Sequence, residues 1–361
     1  MRFPEFTGEW EEETLGSVAK VVGGGTPDTN IQKYWNGNIQ WFTPSEIGRD
    51  KYVTYSLRTI SEEGLNKSSA KILPTGTILL SSRATVGECS INNVECTTNQ
   101  GFQSLIAKEN ISNEFLFYLI QTKRKELIRK SCGSTFLEIS ANEVRKIKIA
   151  IPTHKEQEKI GKLLALLDER IATQNKIIDK LQTLIKGIAQ NIACNNRPNI
   201  RISECLECSS STLQESDVCE HGTYPVYGAN GIVGYLDNYN TEGEAIYIIK
   251  DGSGVGTVSY VTGKCSATGT LNTLQTKKGY SLQYLYYMLK VFSFDSYKTG
   301  MAIPHIYFKD YGKAKIFCPS YTEQLQYARL LFAIDNKLST EQRLLTSLIL
   351  QKQYLLRQMF I

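Results

Sequence analysis

Residues 160–192 have the sequence IGKLLALLDERIATQNKIIDKLQTLIKGIAQNI, and this stretch decides the fold. Steps of three or four residues from its first position reach ten positions, of which nine are apolar. These positions are Ile160, Leu164, Leu167, Ile171, Gln174, Ile178, Leu181, Ile185, Ile188 and Ile192. A 3.5-residue apolar period sustained over more than four heptads is typical of a coiled-coil seam. The stretch therefore predicts a long helix that packs along its length on another helix.

A second seam follows 167 residues later, with eight of ten positions apolar. Its positions are Tyr327, Leu331, Ile334, Leu338, Glu341, Leu345, Leu348, Lys352, Leu355 and Met359. Both seams are interrupted at the same place, by Gln174 and Glu341, and a polar seam residue fixes register at some cost in stability. We expect the two helices to pack on each other as an antiparallel coiled coil. The alternative is two unrelated surface helices.

The globular segments before the helices are also related to each other. TTNQGFQSL aligns with SATGTLNTL and FLFYLIQ with YLYYMLK at an offset of 169 residues, and KIKIAIPTHKEQ aligns with KAKIFCPSYTEQ at 167. The segments in the first half are 97–105, 115–121 and 146–157. At the offset of 167, Asp168 aligns with Asp335. The chain is therefore predicted to contain two copies of one unit, each a mixed domain followed by a long helix.

Each globular segment has short apolar runs between turn-forming residues, which is typical of β-strands. TGTILLSS at 75–82 and EAIYIIKD at 244–251 are such runs, whereas 113–130 has helical spacing. We therefore predict an α+β fold of two β-rich domains and two long helices, with an internal pseudo-two-fold repeat. The predicted boundaries are domain 1–152, helix 153–193, linker 194–199, domain 200–319 and helix 320–361. Thr153 with Glu156, and Ser320 with Glu323, have the spacing of capping boxes at the two helix starts.

Composition limits the class of protein. The 361 residues are 41% apolar and 10% aromatic, which suits folded domains, and the net charge of +5 is compatible with a nucleic-acid partner. The opening MRFPEFTGEWEEE predicts no export signal, and no run of 18 apolar residues predicts a membrane span. Nine scattered cysteines are interpreted as reduced thiols of a cytoplasmic protein.

Several segments together resemble the DNA-specificity subunits of type I restriction–modification systems. They are RFPEFTGEWEEETLGSV, GGGTPDTNIQKYWNGNIQWFTPSEI, YPVYGANGIVGYLDN, and the pair IPTHKEQEKI and CPSYTEQLQY. The resemblance covers essentially the whole chain and appears in both halves. It implies that the globular segments are target-recognition domains and that the helices are spacers that bind methyltransferase subunits. It further implies two modification subunits per chain, restriction subunits in the full complex, and no catalysis by this chain.

The two long helices imply a distance between two DNA readers. A helix over 156–192 would be about 55 Å long, at about 1.5 Å per residue. Half-sites one DNA turn apart are separated by about 35 Å. Antiparallel helices of this length would hold two different readers about one to one and a half turns apart on one duplex. We therefore expect an asymmetric, interrupted target in which the helices act as the ruler.

Candidate DNA contacts in the first half are polar residues near predicted turns and strand ends, because phosphates and base edges are bound by cations, amides and hydroxyls. They are Thr26, Lys33, Tyr34, Trp41, Thr43, Ser45, Ser82, Arg83, Thr85, Asn99 and Gln100, with the basic run Lys123, Arg124 and Lys130. Arg83 is the favoured guanine reader, although a structural ion pair is an equal alternative. Trp41 is also interpretable as a core residue, and the basic run as a solvated helix face.

The second half offers fewer cations, and the aligned position of Arg83 is Gly252, which predicts two dissimilar readers. The candidates there are Tyr227, Asn230, Lys250, Ser253, Thr268, Thr270, Asn272 and Lys298. For the methyltransferase subunits, the family resemblance singles out the helix starts. The candidates are Pro152, Glu156, Gln157, Ile160, Pro319, Glu323 and Gln324.

No motif in the sequence supports catalysis, a cofactor or a metal site. There is no Pro-Pro pair of the kind that the family's adenine methyltransferases use, and no P-loop, because Gly263-Lys264 is followed by Cys265. Cys205, Cys208 and Cys219 with His221 are a weak zinc alternative, since the first two align with apolar positions of a short helix. The competing functions are a coiled-coil scaffold with two globular ligand-binding ends and, less favoured, a hydrolase or nuclease.

Overall fold

The computed structural model describes residues 2–133, 137–300 and 303–360. The chain divides into two compact units, Met1–Thr173 with Leu345–Ile361, and Gln174–Leu344. We call them unit 1 and unit 2. The division falls within the long helices and not in the predicted linker at 194–199. This is because residues 345–360 pack on the first part of the first long helix.

In its described residues, unit 1 contains ten strands and five short α-helices, followed by the first long helix. The strands are β1 (Glu11–Thr14), β2 (Ala19–Gly23), β3 (Trp35–Phe42), β4 (Tyr52–Val53), β5 (Arg58–Ile60), β6 (Ile78–Leu80), β7 (Cys89–Asn92), β8 (Cys96–Thr98), β9 (Gln103–Ala107) and β10 (Lys148–Ile151). The helices are α1 (Leu15–Val18), α2 (Glu62–Asn66), α3 (Asn113–Thr122), α4 (Arg124–Arg129), α5 (Ala141–Arg145) and the long α6 (His154–Cys194), which continues into unit 2.

The sheets of unit 1 have the orders β2-β9-β6-β7-β4, β5-β3-β8 and β1-β10. Neighbouring strands are antiparallel except β4 with β7 and β3 with β8. Helix α3 is buried at every position from Phe115 to Ile120, because it contributes to one apolar core with strands of the large sheet and with Ile160 and Leu164 of α6. The core thus joins the globular part of unit 1 to its helix.

Unit 2 repeats this plan with fewer elements. Its strands are β11 (Ile200–Arg201), β12 (Leu206–Ser210), β13 (Tyr224–Gly228), β14 (Gly231–Leu236), β15 (Glu244–Ile249), β16 (Val258–Thr262), β17 (Ser266–Ala267), β18 (Leu271–Thr276) and β19 (Lys315–Ile316). Its helices are α7 (Ile202–Cys205), α8 (Leu282–Val291), α9 (Phe308–Tyr311) and the long α10 (Tyr321–Met359), whose last part belongs to unit 1.

The predicted internal repeat is confirmed by the sheet topology. The orders β12-β18-β15-β16, β14-β13-β17 and β11-β19 of unit 2 match those of unit 1 strand by strand, apart from β4. The parallel pair β3–β8 also has its counterpart in β13–β17. Similar hydrogen-bonded frames therefore carry different side chains in the two units.

The two long helices are antiparallel where they meet in unit 1, as predicted. A Cβ at Gly161 would lie 2.8 Å from Glu114 Cβ, which places the start of α6 on α3. Phe360, just after α10, has its ring 5.2 Å from that of Phe115, next to the same start. Further along, Lys352 Nζ lies 2.6 Å from Asp168 Oδ1. All twenty predicted seam positions are buried or half-buried.

The two polar seam residues meet within unit 2. Gln174 Nε2 donates to the backbone oxygen of Glu341 at 3.1 Å and also to its carboxylate. Hydrogen bonds from Lys337 and Gln174 hold the pKa of Glu341 below its usual value, so the carboxylate stays charged. The two polar residues that were predicted to fix the register of the helices therefore contact each other directly.

Each globular part is also fixed to its helix by a tyrosine. Tyr118 in α3 donates to Asp168 Oδ2 at 2.6 Å, and Tyr287 in α8 donates to Asp335 Oδ2 at 3.3 Å. Burial and the neighbouring carboxylate raise the pKa of both tyrosines, so both remain protonated donors. The aligned residues Asp168 and Asp335 thus make the same hydrogen bond, each with a tyrosine of its own globular part.

The cysteines are unpaired, as predicted. Cys205 ends α7, but Cys208 lies in β12, so the predicted short helix includes only the first. Burial raises the pKa of Cys205 to about 12 and that of Cys208 to about 11, which disfavours the thiolate form. None of the helices in the described part of the chain is both long and apolar enough to cross a membrane.

Candidate nucleic-acid interface

A polar surface forms in unit 1 where three strands end. Strands β3 and β8 are parallel, so the residues that follow them meet at one edge, and Asn99 N donates to Phe42 O at 3.0 Å. The end of β6 joins this edge because Ser82 N donates to Gly101 O at 2.8 Å. We call this surface the first rim. It consists of Thr26, Thr43, Ser45, Arg83, Thr85, Asn99 and Gln100.

The first rim brings together most of the polar residues predicted for this half. Ser45, Arg83 and Gln100 are exposed, and the remaining members are half-buried. Thr26 Oγ1 donates to Gln100 Oε1. Thr43 Oγ1 donates to Glu46 Oε2 at 2.6 Å, which stabilises the turn after β3. The rim therefore offers hydroxyls, amides and one guanidinium on a single edge, the groups that bind phosphates and base edges.

Three predicted contact residues of unit 1 are instead core residues. Tyr34, Trp41 and Ser82 are 9%, 4% and 0% exposed. Trp41 Nε1 donates to Gly25 O at 2.9 Å, so the indole supports the glycine loop from inside. A Cβ at Gly24 would lie 2.1 Å from Asn99 O, so this glycine permits close approach to the protein's own backbone. The prediction of direct DNA contact is therefore wrong for these three residues.

Most of the predicted cations are already ion-paired, and all of these pairs are at least partly exposed. Arg83 pairs with Glu138 at 2.8 Å, Arg124 with Glu88 at 3.0 Å, Lys298 with Asp295 at 2.7 Å, Lys130 with Glu126 at 3.5 Å, Lys123 with Glu126 at 4.0 Å, and Lys33 with Glu63. Such surface pairs contribute only about 0–1 kcal/mol each. A DNA phosphate can therefore compete with the carboxylates for these side chains, but each of these cations already has an ion-pair partner.

Unit 2 has a corresponding second rim, formed by Tyr227, Lys250, Ser253 and Thr270. Thr268 N donates to Tyr227 O at 2.9 Å, and Lys250 N donates to Thr270 O at 3.0 Å, which are the same two links as in unit 1. Asn230 is exposed in the turn between β13 and β14.

Two predicted contacts of unit 2 are wrong because the side chains are buried. Thr268 is 1% exposed and Asn272 is 3% exposed. Asn272 Nδ2 donates to the hydroxyl of Tyr311 at 3.0 Å, and Asn272 Oδ1 accepts from Ser210 Oγ at 3.2 Å. Asn272 therefore joins β18 to α9 and β12, and its amide is not available to DNA.

The counterpart of Arg83 is Asp251, which corrects the sequence alignment by one residue. Arg83 forms a β-bridge with Glu138, and Asp251 forms the equivalent bridge with His305. Gly252 instead matches Ala84, and both have a positive φ, 93° and 58°. The turn of unit 2 contains one extra residue before Gly256, which the constant offset could not reveal. Arg83 of the first rim and Asp251, which follows Lys250 of the second rim, thus carry opposite charges at one backbone position.

The glutamines of the two helix starts are structural, contrary to their prediction as subunit-binding residues. Gln157 is 1% exposed and Gln324 is 2% exposed. Gln157 Oε1 accepts from Ser112 N at 3.0 Å, and Gln324 Oε1 accepts from Ser281 N at 2.9 Å. Their amides donate to Pro152 O and Pro319 O, respectively. Each glutamine therefore ties the start of its long helix to the start of α3 or α8.

The other predicted subunit-binding residues fall into a buried group and an accessible group. Glu156, Ile160 and Pro152 are buried, so direct partner contact is wrong for them. Glu156 accepts both Arg2 Nε at 2.7 Å and Arg2 Nη2 at 2.6 Å, and the side-chain capping box predicted with Thr153 is not formed. The second capping box is present, since Ser320 N donates to Glu323 Oε2 at 3.1 Å and Glu323 N donates to Ser320 Oγ at 3.4 Å. Glu323 is exposed and Pro319 half-buried, so both remain accessible.

Replacing Gln157 by leucine should destabilise the chain and should not abolish partner binding directly. The change removes three hydrogen bonds and leaves Ser112 N without its acceptor, for an expected loss of about 2–4 kcal/mol in the free energy of unfolding. Chemical denaturation measures this loss. The control is Lys162→Gln on the exposed side of the same helix, with an expected effect under about 0.5 kcal/mol. Unchanged stability together with lost partner binding would contradict the structural role.

Two groups of accessible residues were missed by the sequence reasoning. The first is a set of exposed apolar side chains outside the seams of the long helices. They include Leu166 (55% exposed), Leu184 (48%), Leu330 (50%), Leu350 (60%) and Tyr354 (57%). A second apolar stripe beside the seam was a signal for them. The second is a single residue, Arg58, an exposed cation that no short sequence motif identifies as a DNA contact.

Comparison with known proteins gives a consistent result. The model of the type I restriction modification DNA specificity domain matches residues 7–183 and 199–349. The specificity subunit of the type I restriction enzyme MjaIX from Methanocaldococcus jannaschii is 37% identical over 180 residues, which are 48% of this chain and 42% of that subunit. The EcoR124I/EcoR124II specificity subunit from Escherichia coli is 32% identical over 192 residues, 51% of this chain and 44% of that subunit. The chain thus matches less than half the length of these two relatives.

The fold is also that of a solved structure. The S subunit of a type I restriction-modification system from M. genitalium superposes with a TM-score of 0.68 at 18% identity, over 99% of this chain and 97% of that one. The likeness extends over both globular parts and both long helices. Because the family model matches most of the chain in two successive segments, the chain belongs to the family of type I restriction modification DNA specificity domains.

Proposed function

We propose that this chain is the DNA-specificity subunit of a type I restriction–modification enzyme. It reads a bipartite, interrupted DNA site and recruits methyltransferase subunits, with restriction subunits added in the complete enzyme. Its own contribution is recognition, and the methyl transfer and cleavage belong to its partners. Since its proposed target is DNA and its cysteines are unpaired, we assign it to the cytoplasm.

The observation that carries this proposal is the pair of rims on one repeated frame. The same backbone links hold both rims, but the side chains differ, with Arg83 in unit 1 and Asp251 in unit 2 at the matching bridge. A repeated frame with different side chains is what two readers of different half-sites require. A coiled-coil scaffold with two globular ligand-binding ends does not in itself call for this difference.

The exposed apolar residues of the long helices support the recruitment of partner subunits. Leu166, Leu330 and Leu350 each expose half or more of their surface on a helix whose seam is already satisfied. Apolar side chains that stay exposed beside a packed seam are typical of a further helix-binding surface. We infer that methyltransferase subunits bind these exposed helix residues in each unit, Leu166 and Leu350 in unit 1 and Leu330 in unit 2, and that Glu323 and Pro319 contribute to the contact in unit 2.

Co-expression with the methyltransferase subunit of the same system tests the proposal. We expect the two chains to co-purify and to methylate adenines within one interrupted sequence, mapped by sequencing of modified DNA. DNA binding by the complex should weaken steeply between 50 and 200 mM salt, because it displaces counterions from phosphates. Methylation without a defined sequence, or the absence of any complex, would refute the proposal and favour the scaffold.

A further inference from the structure

Arg58 in β5 is held against the two buried indoles of unit 1. Its guanidinium carbon lies 3.5 Å from the ring centroid of Trp35 and 5.6 Å from that of Trp41. The two indoles pack edge to face at 5.0 Å with an interplanar angle of 88°. Cation–π attraction and stacking therefore restrict the guanidinium to one plane, although the residue itself is exposed.

The backbone of Arg58 is fixed as firmly as its side chain. Arg58 pairs with Trp41 in the β3–β5 ladder. Ser56 Oγ donates to Arg58 O at 2.6 Å and accepts from Trp41 N at 2.9 Å. Ser56 N also donates to Gln40 Oε1 at 2.7 Å, so the approach to β5 is anchored on β3. The backbone position from which the Arg58 side chain extends is therefore fixed within β5.

Arg58 differs from the candidate cations of unit 1, which are all ion-paired, in having no partner for its guanidinium N–H groups. Within residues 2–133, 137–300 and 303–360, no carboxylate lies within 4.0 Å of it and no side-chain hydrogen bond is formed. The nearby Glu46 is already engaged, because Oε1 accepts from Leu57 N and Oε2 accepts from Thr43 N and Oγ1. Stacking uses the face of the guanidinium and leaves the donors at its edge free.

The same contacts place Arg58 beside the first rim. Glu46 joins Leu57 to Thr43, since it accepts from both residues at 2.6 Å. Trp41, under the guanidinium, donates to Gly25 O, next to Thr26. Arg58 therefore adjoins the Thr26 and Thr43 side of the rim.

We propose that Arg58 reads a guanine in the half-site bound by unit 1, with its two outer N–H groups donating to O6 and N7 in the major groove. This inference rests on the proposed function. A planar guanidinium held by stacking is suited to two parallel hydrogen bonds, the commonest specific contact to guanine. Phosphate binding needs only a positive charge, which lysine also supplies.

Unit 2 has a glycine at the position that corresponds to Arg58. Trp41 lies opposite Thr97 in one sheet and Val226 opposite Ser266 in the other, and Thr97 and Ser266 are aligned residues. The ladder partner of Val226 is Gly234, at the position that Arg58 has in unit 1. The guanine contact is therefore specific to one half of the site.

The test compares methylation by complexes of the full chain that contain Arg58, Arg58→Lys or Arg58→Gln. Methylated sites are sequenced, and rates are measured on duplexes altered at each base pair. We expect both variants to lower discrimination about 10- to 100-fold at a single G·C pair of one half-site and to leave the other half-site unchanged. The control is Arg145→Lys in α5, where no position should change. Melting temperatures check that each variant is folded.

Two results would overturn the guanine assignment while leaving the proposed function intact. Normal discrimination by Arg58→Lys, with a uniform loss of binding by Arg58→Gln, would make Arg58 a phosphate contact. No effect of either variant would remove it from the interface. A failure of the unaltered complex to methylate any defined sequence would instead refute the proposed function.

Discussion

Exchange of residues 200–319 for the matching segment of another specificity subunit should replace one half of the methylated sequence completely and leave the other half unchanged. The effect is expected to be all-or-none, because the segment contains every residue of the second rim. Sequencing of methylated DNA from cells that express the hybrid with its methyltransferase measures the result.

The structure supports these cut points physically. Ile200 pairs with Ile316 in the two-stranded sheet, so the segment leaves and returns at neighbouring positions. Asn199 Nδ2 donates to Cys318 O at 2.7 Å, and Cys318 N donates to Asn199 Oδ1 at 2.8 Å, which closes the segment at its base. The graft should keep Ser281 and Tyr287, because their partners Gln324 and Asp335 lie on α10, outside the exchanged segment.

The matched control is the exchange of residues 11–151, whose ends pair in the same way through Glu11 and Ile151. It should change only the other half of the methylated sequence. An identical methylated sequence before and after either exchange would show that the globular segments do not determine specificity.

Deletion of residues 174–180 together with 338–344 should shorten the non-specific spacer of the target by about three base pairs. Each deletion removes one heptad and keeps the seam continuous, because Ile171 then precedes Leu181 and Ile334 precedes Leu345 at seam spacing. Seven residues correspond to about 10.5 Å of helix, and a base pair to about 3.4 Å of DNA. Sequencing of methylated sites gives the new spacer directly.

The deletion should also slow methylation. Three base pairs rotate one half-site relative to the other by about 100°, so the shortened complex must twist the DNA to engage both. The control is the double variant Gln174→Leu with Glu341→Leu, which removes the same polar contact at constant length and should keep the original spacer. If the deletion left the spacer unaltered, the helices would not set the distance between half-sites.

The long helices were the part of the fold most readable from sequence. Ile160 and Leu164 belong to a sustained 3.5-residue period, which is typical of helices that pack along their length, and the shared interruption at Gln174 and Glu341 marked the register. The repeated frame was also recoverable, because aligned segments such as those ending in Gln157 and Gln324 have the same structural task. The sequence could not show that these glutamines are buried and bind backbone groups. From residue type alone, a glutamine is expected to be exposed and available to a partner.

The candidate site was predicted less well, for reasons of tertiary structure. Trp41 and Ser82 follow the strand pattern at points where two sheets meet, so the expected surface positions are enclosed. Arg83 was identified, but its partner Glu138 is 55 residues away and joins it only through a β-bridge. Arg58 was missed because it contacts Trp35 and Trp41 only after β3 and β5 have paired. An arginine on a strand next to a tryptophan-containing strand is a signal that could find such residues.

The division of α10 between the units has a consequence for the order of folding during synthesis. Unit 2 is continuous from Gln174 to Leu344, so all its contacts are available once residue 344 has left the ribosome. Unit 1 begins first in sequence, yet its core contains Leu348, Leu355 and Met359. The domain translated first must therefore wait for later residues to close its apolar face, and this delay exposes it to chaperones and aggregation.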